Sequence, residues 1–410
     1  MINVAIMGHG VVGSGVAEIL LNNRAHIAEK TKNEIHIKYI LDLRDFNELE
    51  YSNKFIRDFN KIVEDDSVKV VAEVMGGIHP AYEYVKQCLL AGKSVVTSNK
   101  ELVAAKGAEL LALAEENNVN FLFEASVGGG IPVLRPMAQC LAANNILEVT
   151  GILNGTTNFI MTKMVHEHMS FDDALALAQK LGYAERDPSA DVDGHDACRK
   201  ICILASLAFG HHVYPEQVHT EGISNITQTD VAYAAACGRV IKLIGHAKTA
   251  ADGHIYATVY PALLKKEHPL AGVEDVYNAI MIDGDYIGKV MFYGRGAGKE
   301  ATASAVVADI MDCVKHLQAR KYLKWEDGST DYVTDMQENT VQLFIRAFAR
   351  DKAAAIAEAE AAFGELQLLH WNDEKPDAFA FITPKDTEKA LRRKLASLSK
   401  SEAESVLHLI

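Results

Sequence analysis

The run Ile2-Asn3-Val4-Ala5-Ile6-Met7-Gly8-His9-Gly10-Val11-Val12-Gly13 decides the fold. Five of its first six residues are apolar and three of those are β-branched, the composition of a buried strand. Glycines at 8, 10 and 13 follow without a gap, and Val16, Ile19 and Leu20 continue at helical spacing. A strand, a G-x-G-x-x-G turn and a helix in that order form a pyrophosphate cradle. Gly8 permits the tight turn, Gly10 leaves room for a phosphate against the backbone, and Gly13 lets the helix lie close to the strand. The unpaired N–H groups of the helix N-terminus then face the phosphates. A second strand, Ile35–Leu41, ends at Asp42, where an acid would hold the ribose hydroxyls of NAD. Arg44, two residues on, could instead pair with the 2′-phosphate of NADP. The reading leans to NADP and leaves NAD open.

Working outward, strand patterns at 68–75, 94–97 and 120–124 alternate with helical ones at 82–91 and 102–117. That alternation predicts an α/β domain, a doubly wound parallel sheet of Rossmann type, over residues 1–135. The glycines of Gly294-Arg295-Gly296-Ala297-Gly298 open an Ala-rich helix, and residues 294–320 are expected to complete this domain. After Gly128-Gly129-Gly130 the character changes. Residues 136–300 mix long helical patterns with strands at 148–153, 255–262, 279–283 and 287–293, which predicts a separate α+β domain. Residues 327–339 are polar and aperiodic and read as a linker. Residues 335–410 read as strand, helix, strand, strand, helix, strand, the ferredoxin-like order.

Composition narrows the function. With 41 Lys plus Arg against 55 Asp plus Glu, the 410-residue chain carries a formal charge of −14 and repels phosphate backbones, so no nucleic-acid partner is expected. No apolar run approaches the roughly 18 residues of a membrane span, and Met1 to Met7 lack the basic start of a signal peptide. The six cysteines are scattered rather than framed as disulfides. A cytoplasmic protein acting on small molecules is the expectation.

Three loops concentrate unusual residues. Thr97-Ser98-Asn99-Lys100 follows a strand, on the side of an open α/β sheet where ligands bind. Glu124-Ala125-Ser126-Val127-Gly128-Gly129-Gly130-Ile131-Pro132 carries three glycines that let backbone approach a ligand or ion, or serve as a hinge. The run from Gly182 to Lys200 holds five acids between Glu185 and Asp196, and Asp196 and Lys200 share a helix face. His195, Cys198 and Cys202 lie at i, i+3 and i+7, but a fourth zinc ligand at normal spacing is missing.

Taken together, G-H-G-V-V-G at 8–13, T-S-N-K at 97–100, E-A-S-V-G-G-G-I-P at 124–132, G-I-L-N-G-T-T-N at 151–158, the whole run 182–200 and Y-G-R-G-A-G-K-E-A-T-A-S-A-V at 293–306 resemble homoserine dehydrogenases, in the monofunctional form with a C-terminal ACT-like domain. The likeness spans nearly the whole chain. It implies NAD(P)H-dependent reduction of aspartate 4-semialdehyde to homoserine, on the route to threonine and methionine. It also implies that residues 136–300 bind substrate and form a homodimer or homotetramer.

The resemblance also assigns roles. Lys200 is the acid/base, Lys100 polarises the carbonyl and shares in proton transfer, and Asp196 orients Lys200 and holds the substrate ammonium. Glu185 and Asp191 bind that ammonium too, and Asn154, Gly155, Thr156, Gly182 and Tyr183 shape the pocket. Cofactor contacts fall to Gly8, Gly10, Val11, Val12, Gly13, Asp42, Arg44, Gly76, Ser98, Lys100, Gly296, Gly298 and Glu300. A monovalent cation, Na+ or K+, is assigned to the Glu124 carboxylate and the carbonyls of Val127, Gly129 and Ile131. ACT-like domains that bind amino acids carry an Asp-x-x-Gly turn. Here the turn reads Ala349-Arg350-Asp351-Lys352-Ala353-Ala354, so threonine binding at the usual place is not expected. Two other readings stay open: a reductase of another small amino-acid aldehyde, and an NAD(P)-binding regulatory protein.

Overall fold

The structure, a computed structural model, describes residues 1–319, 323–328 and 331–410. It divides into two compact units, one of residues 1–147, 202–215 and 280–329, the other of 148–201, 216–279 and 330–410.

The first unit is built on a six-stranded sheet. Its strands are β1 (Ile2–Met7), β2 (Ile35–Leu41), β3 (Phe55–Ile56), β4 (Val68–Glu73), β5 (Ser94–Thr97) and β6 (Phe121–Leu122), in the order β3-β2-β1-β4-β5-β6. Every pairing is parallel. This is the Rossmann order, and its direction of winding reverses between β1 and β4, where a crevice opens beyond the strand ends. β1 and β4 are buried strands, so they read as nearly unbroken apolar runs. Helix Lys299–Lys315 packs into this unit, where Ala303, Val306 and Ile310 share a core with Val4, Ile6 and Val16. Gly15 is what lets helix Val11–Asn22 meet it, because a Cβ there would lie 2.8 Å from that of Ala303.

The second unit is a mixed sheet. Its strands are β7 (Ile146–Ile152), β8 (His219–Thr220), β9 (Arg239–Thr249) and β10 (Ile255–Lys265); β11 (Tyr277–Gly284) and β12 (Gly288–Arg295) follow in the chain. β9 was not expected from the sequence. Lys242 and His246 interrupt its apolar pattern, yet both are buried because each finds a partner: Lys242 Nζ donates to the Val273 carbonyl (2.7 Å), and His246 meets Glu148 at 2.7 Å. Burial drops the Lys242 ammonium to about 8.

The remaining strands are β13 (Thr340–Val341), β14 (Leu343–Phe348), β15 (Gln367–Leu369), β16 (Ala378–Ile382), β17 (Asp386–Thr387) and β18 (Glu402–Leu409). With helices Lys352–Phe363 and Glu388–Ala396 they give the expected βαββαβ order, and the antiparallel sequence β18-β14-β16-β15 is the ferredoxin-like arrangement. This sheet is continuous with its neighbour, because β18 pairs in parallel with β10 at Ala262–His408 and Leu263–Leu409. Within the expected linker, Val333 bridges to Ile255 and Met336–Glu338 forms one 3-10 turn; residues 329 and 330 of it, like residue 320 of the expected Rossmann completion, lie outside the described residues. Among the described residues no helix is long and apolar enough to cross a membrane.

Candidate active site

The glycine turn has the geometry its sequence asks for. Gly8 sits at φ +97°, a backbone conformation that side chains resist, and a Cβ on Gly13 would lie 2.1 Å from the Gly8 carbonyl oxygen. A Cβ on Gly10 would meet nothing within 4 Å, so the space above it is open. Gly10 precedes helix Val11–Asn22, whose N-terminus has no side-chain cap, and Val11 is 68% exposed while Val12 is half-buried. Backbone N–H groups at an uncapped helix start, beneath open space, suit a pyrophosphate. Gly76 lies across the crevice at the end of β4, with φ +81° and open space around it.

At the end of β2, Asp42 and Arg44 form an ion pair. Arg44 donates from Nε to Oδ1 (3.0 Å) and from Nη2 to Oδ2 (2.9 Å), and Oδ2 also accepts the His9 backbone N–H (2.8 Å). The guanidinium beside Asp42 holds its carboxyl well below the usual carboxylate range. Arg44 also lies over the Phe46 ring, 5.2 Å from its centre. His9 sits edge-on to Phe46 and Phe55, and burial lowers its imidazole.

Lys100 is the first residue of helix Lys100–Glu116, just beyond β5. Asn99 caps that helix by accepting from the Leu102 N–H (3.1 Å), and Ser98, half-buried, donates its N–H to the Glu73 carbonyl. Glu73 lies inside the strand pattern at 68–75 and was not singled out there; it is fully buried, and burial raises its carboxyl.

The loop at 124–131 corrects one expectation. The Glu124 carboxylate, expected to serve a cation, is engaged by backbone donors. Oε1 accepts the N–H of Val133 (2.6 Å) and Leu134 (2.8 Å), and Oε2 that of Arg135 (2.7 Å), so the side chain caps the start of helix Leu134–Gln139. An anion there satisfies orphan donors of the helix N-terminus. The carbonyls of Val127, Gly129 and Ile131 accept no hydrogen bond among the described residues. Gly128 (φ +70°) and Gly129 (φ +55°) bend the loop, and a Cβ on Gly129 would lie 2.5 Å from the Gly296 carbonyl oxygen. The buried Gly296 and the exposed Gly298 and Glu300 thus belong to a segment nested against the glycine loop. Arg135 pairs with Asp309, whose carboxyl burial pushes up to about 7.

The second unit holds a dense polar cluster. Lys200 Nζ donates to Asp196 Oδ2 (2.7 Å) and to the Leu153 carbonyl (2.8 Å). Asn154 Nδ2 donates to Asp196 Oδ2 (2.9 Å) and to Asp191 Oδ1 (2.6 Å). Asn154 Oδ1 caps the next helix by accepting the Thr157 N–H (2.8 Å). Lys200, Asp196 and Asn154 are each more than nine-tenths buried, so the ion pair is far from the exposed i,i+4 pair that spacing alone would suggest. Burial raises the Asp191 carboxyl and the Asp196 charge adds to it, while Asn154 works against both. Gly155 is fixed by the Val276 carbonyl, 2.8 Å from where a Cβ would stand. Thr156 Oγ1 donates to the Tyr183 carbonyl (2.6 Å), tying the exposed Gly182–Tyr183 turn to this cluster. Glu185 is not brought in: it is exposed, and its carbonyl accepts from Gln179. Among the described residues no group of three His, Cys, Asp or Glu side chains could hold a metal, so the zinc alternative finds no cluster.

A Rossmann sheet with an open glycine cradle, joined in one chain to a buried lysine–carboxylate cluster, defines a nicotinamide-nucleotide-dependent oxidoreductase. Known proteins agree. Residues 8–124 match the family model "Homoserine dehydrogenase, NAD binding domain", and residues 132–311 match "Homoserine dehydrogenase". The homoserine dehydrogenase of Lactococcus lactis is 44% identical over 320 residues, covering 77% of this chain and 74% of its own. The crystal structure of a homoserine dehydrogenase from Thiobacillus denitrificans superimposes with a TM-score of 0.88 at 32% identity, covering 100% of this chain and 98% of its own. A hyperthermophilic archaeal homoserine dehydrogenase mutant in complex with NADPH reaches 0.64 at 32% identity, over 76% of this chain and 97% of its own. The chain belongs to the homoserine dehydrogenase family.

Proposed function

We propose that the protein interconverts L-aspartate 4-semialdehyde and L-homoserine with NAD(P)H. The carrying observation is the buried Lys200–Asp196–Asn154–Asp191 cluster. NAD(P)H, when bound at the glycine cradle, supplies the hydride for the aldehyde carbon. The forming alkoxide needs a proton, and Lys200 gives it. Two of its three N–H groups are spent on Asp196 and Leu153, which aims the third. Lys100 polarises the carbonyl, and Asp191 and Asp196 hold the substrate ammonium. Glu185, on the exposed turn beside them, keeps the same assignment. The carbonyls of Val127, Gly129 and Ile131 are hard oxygen donors on a bent loop and suit Na+ or K+. The βαββαβ unit is an ACT-like module. Its Asp351 is already used as a helix cap, accepting the Ala354 N–H at 3.0 Å, so the unit serves assembly of a homodimer or homotetramer rather than threonine binding. Purified protein should oxidise NADPH on addition of aspartate semialdehyde and should be unmoved by threonine. Inert NADPH with that aldehyde, but turnover with another, would transfer the assignment to the second reading.

NADPH is the preferred cofactor in this proposal. Both Asp42 oxygens are occupied, so the carboxylate is poorly placed to hold ribose hydroxyls, whereas Arg44 is held ready for a 2′-phosphate. Removing one charge-assisted bidentate contact costs about 1.5–3 kcal/mol. Arg44→Ser should therefore raise KM for NADPH by roughly 10–100-fold and leave that for NADH within about 3-fold. Equal effects on both cofactors would remove the assignment.

A further inference from the structure

Glu73 closes β4 and is completely buried, and among the described residues no cation pairs with it. Its side chain is held by donors instead. Oε2 accepts the Thr97 hydroxyl (2.5 Å), and Oε1 accepts the N–H of Met75 (2.8 Å) and of Gly76 (3.4 Å). Thr97 Oγ1 in turn accepts the Asn99 N–H (2.9 Å). Asn99 spends one side-chain atom on the cap of the Lys100–Glu116 helix and the other, Nδ2, on the Gly77 carbonyl (2.6 Å). The links Glu73–Thr97–Asn99–Gly77 thus close a ring through the backbone of 73–77. Register places it at the site end of the sheet, where Glu73 faces Met7 on one side and Thr97 on the other. A sheet needs no buried acid to hold two parallel strands, and an apolar pair would do so without desolvating a carboxyl.

We infer that Glu73, acting through Thr97 and Asn99, is a positioning residue that fixes the glycine loop after β4 against the loop that carries Lys100. The inference rests on the assignment of Lys100 above. It deepens that assignment by joining the nucleotide loop and the carbonyl-polarising lysine in one rigid element. Three variants separate this role from sheet adhesion. Thr97→Val deletes the hydroxyl, Thr97→Ser keeps it, and Asn99→Ser keeps a good helix cap but loses the arm to Gly77.

NADPH affinity is read by fluorescence titration without aldehyde, and kcat and KM are read in the coupled reaction, all on the full chain. Thr97→Val and Asn99→Ser should lower kcat about 10–100-fold, because small displacements of a reacting group cost that much. Both should also weaken NADPH binding, with KM for the aldehyde nearly unchanged, and Thr97→Ser should restore the parent values. Lower melting temperatures with parental kcat and NADPH affinity would show adhesion alone and overturn the inference, as would a serine variant no better than valine. Lys100→Ala separates the two layers. If it retains turnover, the Lys100 assignment fails while weakened NADPH binding in Asn99→Ser still supports the ring. If it loses turnover while Asn99→Ser behaves as parent, the ring is overturned and the lysine stands.

Discussion

Lys200→Ala should lose about 10³–10⁴-fold in kcat while binding NADPH as the parent does. General acid catalysis by a positioned group is worth about 10²–10⁴-fold, and a buried ammonium held at two points is positioned as well as a flexible side chain can be. The nucleotide cradle lies in the other unit. Stability moves as well. The substitution removes the cation paired with the buried Asp196, and breaking a buried ion pair from one side costs about 3–5 kcal/mol. Lys200→Met, which keeps the apolar stem, should share the kinetic defect and recover part of the melting temperature. Stopped-flow measurement of NADPH oxidation should therefore show a slow chemical step with normal cofactor association. A kcat within about 10-fold of the parent in both variants would end the acid/base assignment.

The first unit was legible because strand and helix periods alternate cleanly there and because the glycine motif stood between a strand and a helix. Ser94–Thr97 was placed to the residue. What remained hidden was polar and buried. Lys242 and His246 concealed an 11-residue strand, because a pattern of apolar residues cannot show that a carbonyl or a carboxylate waits across the sheet. Glu73 drew no attention inside the strand pattern at 68–75, since the hydroxyl that ties it to the next strand lies 24 residues on. The Glu124 carboxylate was assigned to a cation. The three N–H groups that claim it come from a helix start nine to eleven residues later, and periodicity gave no warning of that short helix. Asp42 and Arg44 were found as rivals, two residues apart, when the fold makes them a pair. In each case the missing fact is a hydrogen-bond partner brought close by tertiary structure. The Asp196–Lys200 pair escaped this problem because its two residues lie one helical turn apart.

A matched pair of glycine substitutions should show that the cradle is both a fold element and a binding site. At Gly13 a methyl group would stand 2.1 Å from the Gly8 carbonyl oxygen and 3.0 Å from its carbon, so Gly13→Ala must pry the helix away from the turn. Backbone is what it strikes, and backbone in a strand-to-helix turn has little freedom to give. NADPH affinity should fall by about 100-fold or more, and the melting temperature should fall with it, since the core around Val4, Val16 and Ala303 is disturbed. At Gly10 the backbone is ordinary, with φ −80°, and a methyl group meets nothing within 4 Å. Gly10→Ala should therefore melt as the parent does, yet still bind NADPH roughly 10-fold or more weakly, because the methyl group occupies the space through which a phosphate reaches the helix N-terminus. If Gly10→Ala bound NADPH with parental affinity, the pyrophosphate would have to lie elsewhere on the sheet, and the roles given to Val11, Val12 and Arg44 would move with it.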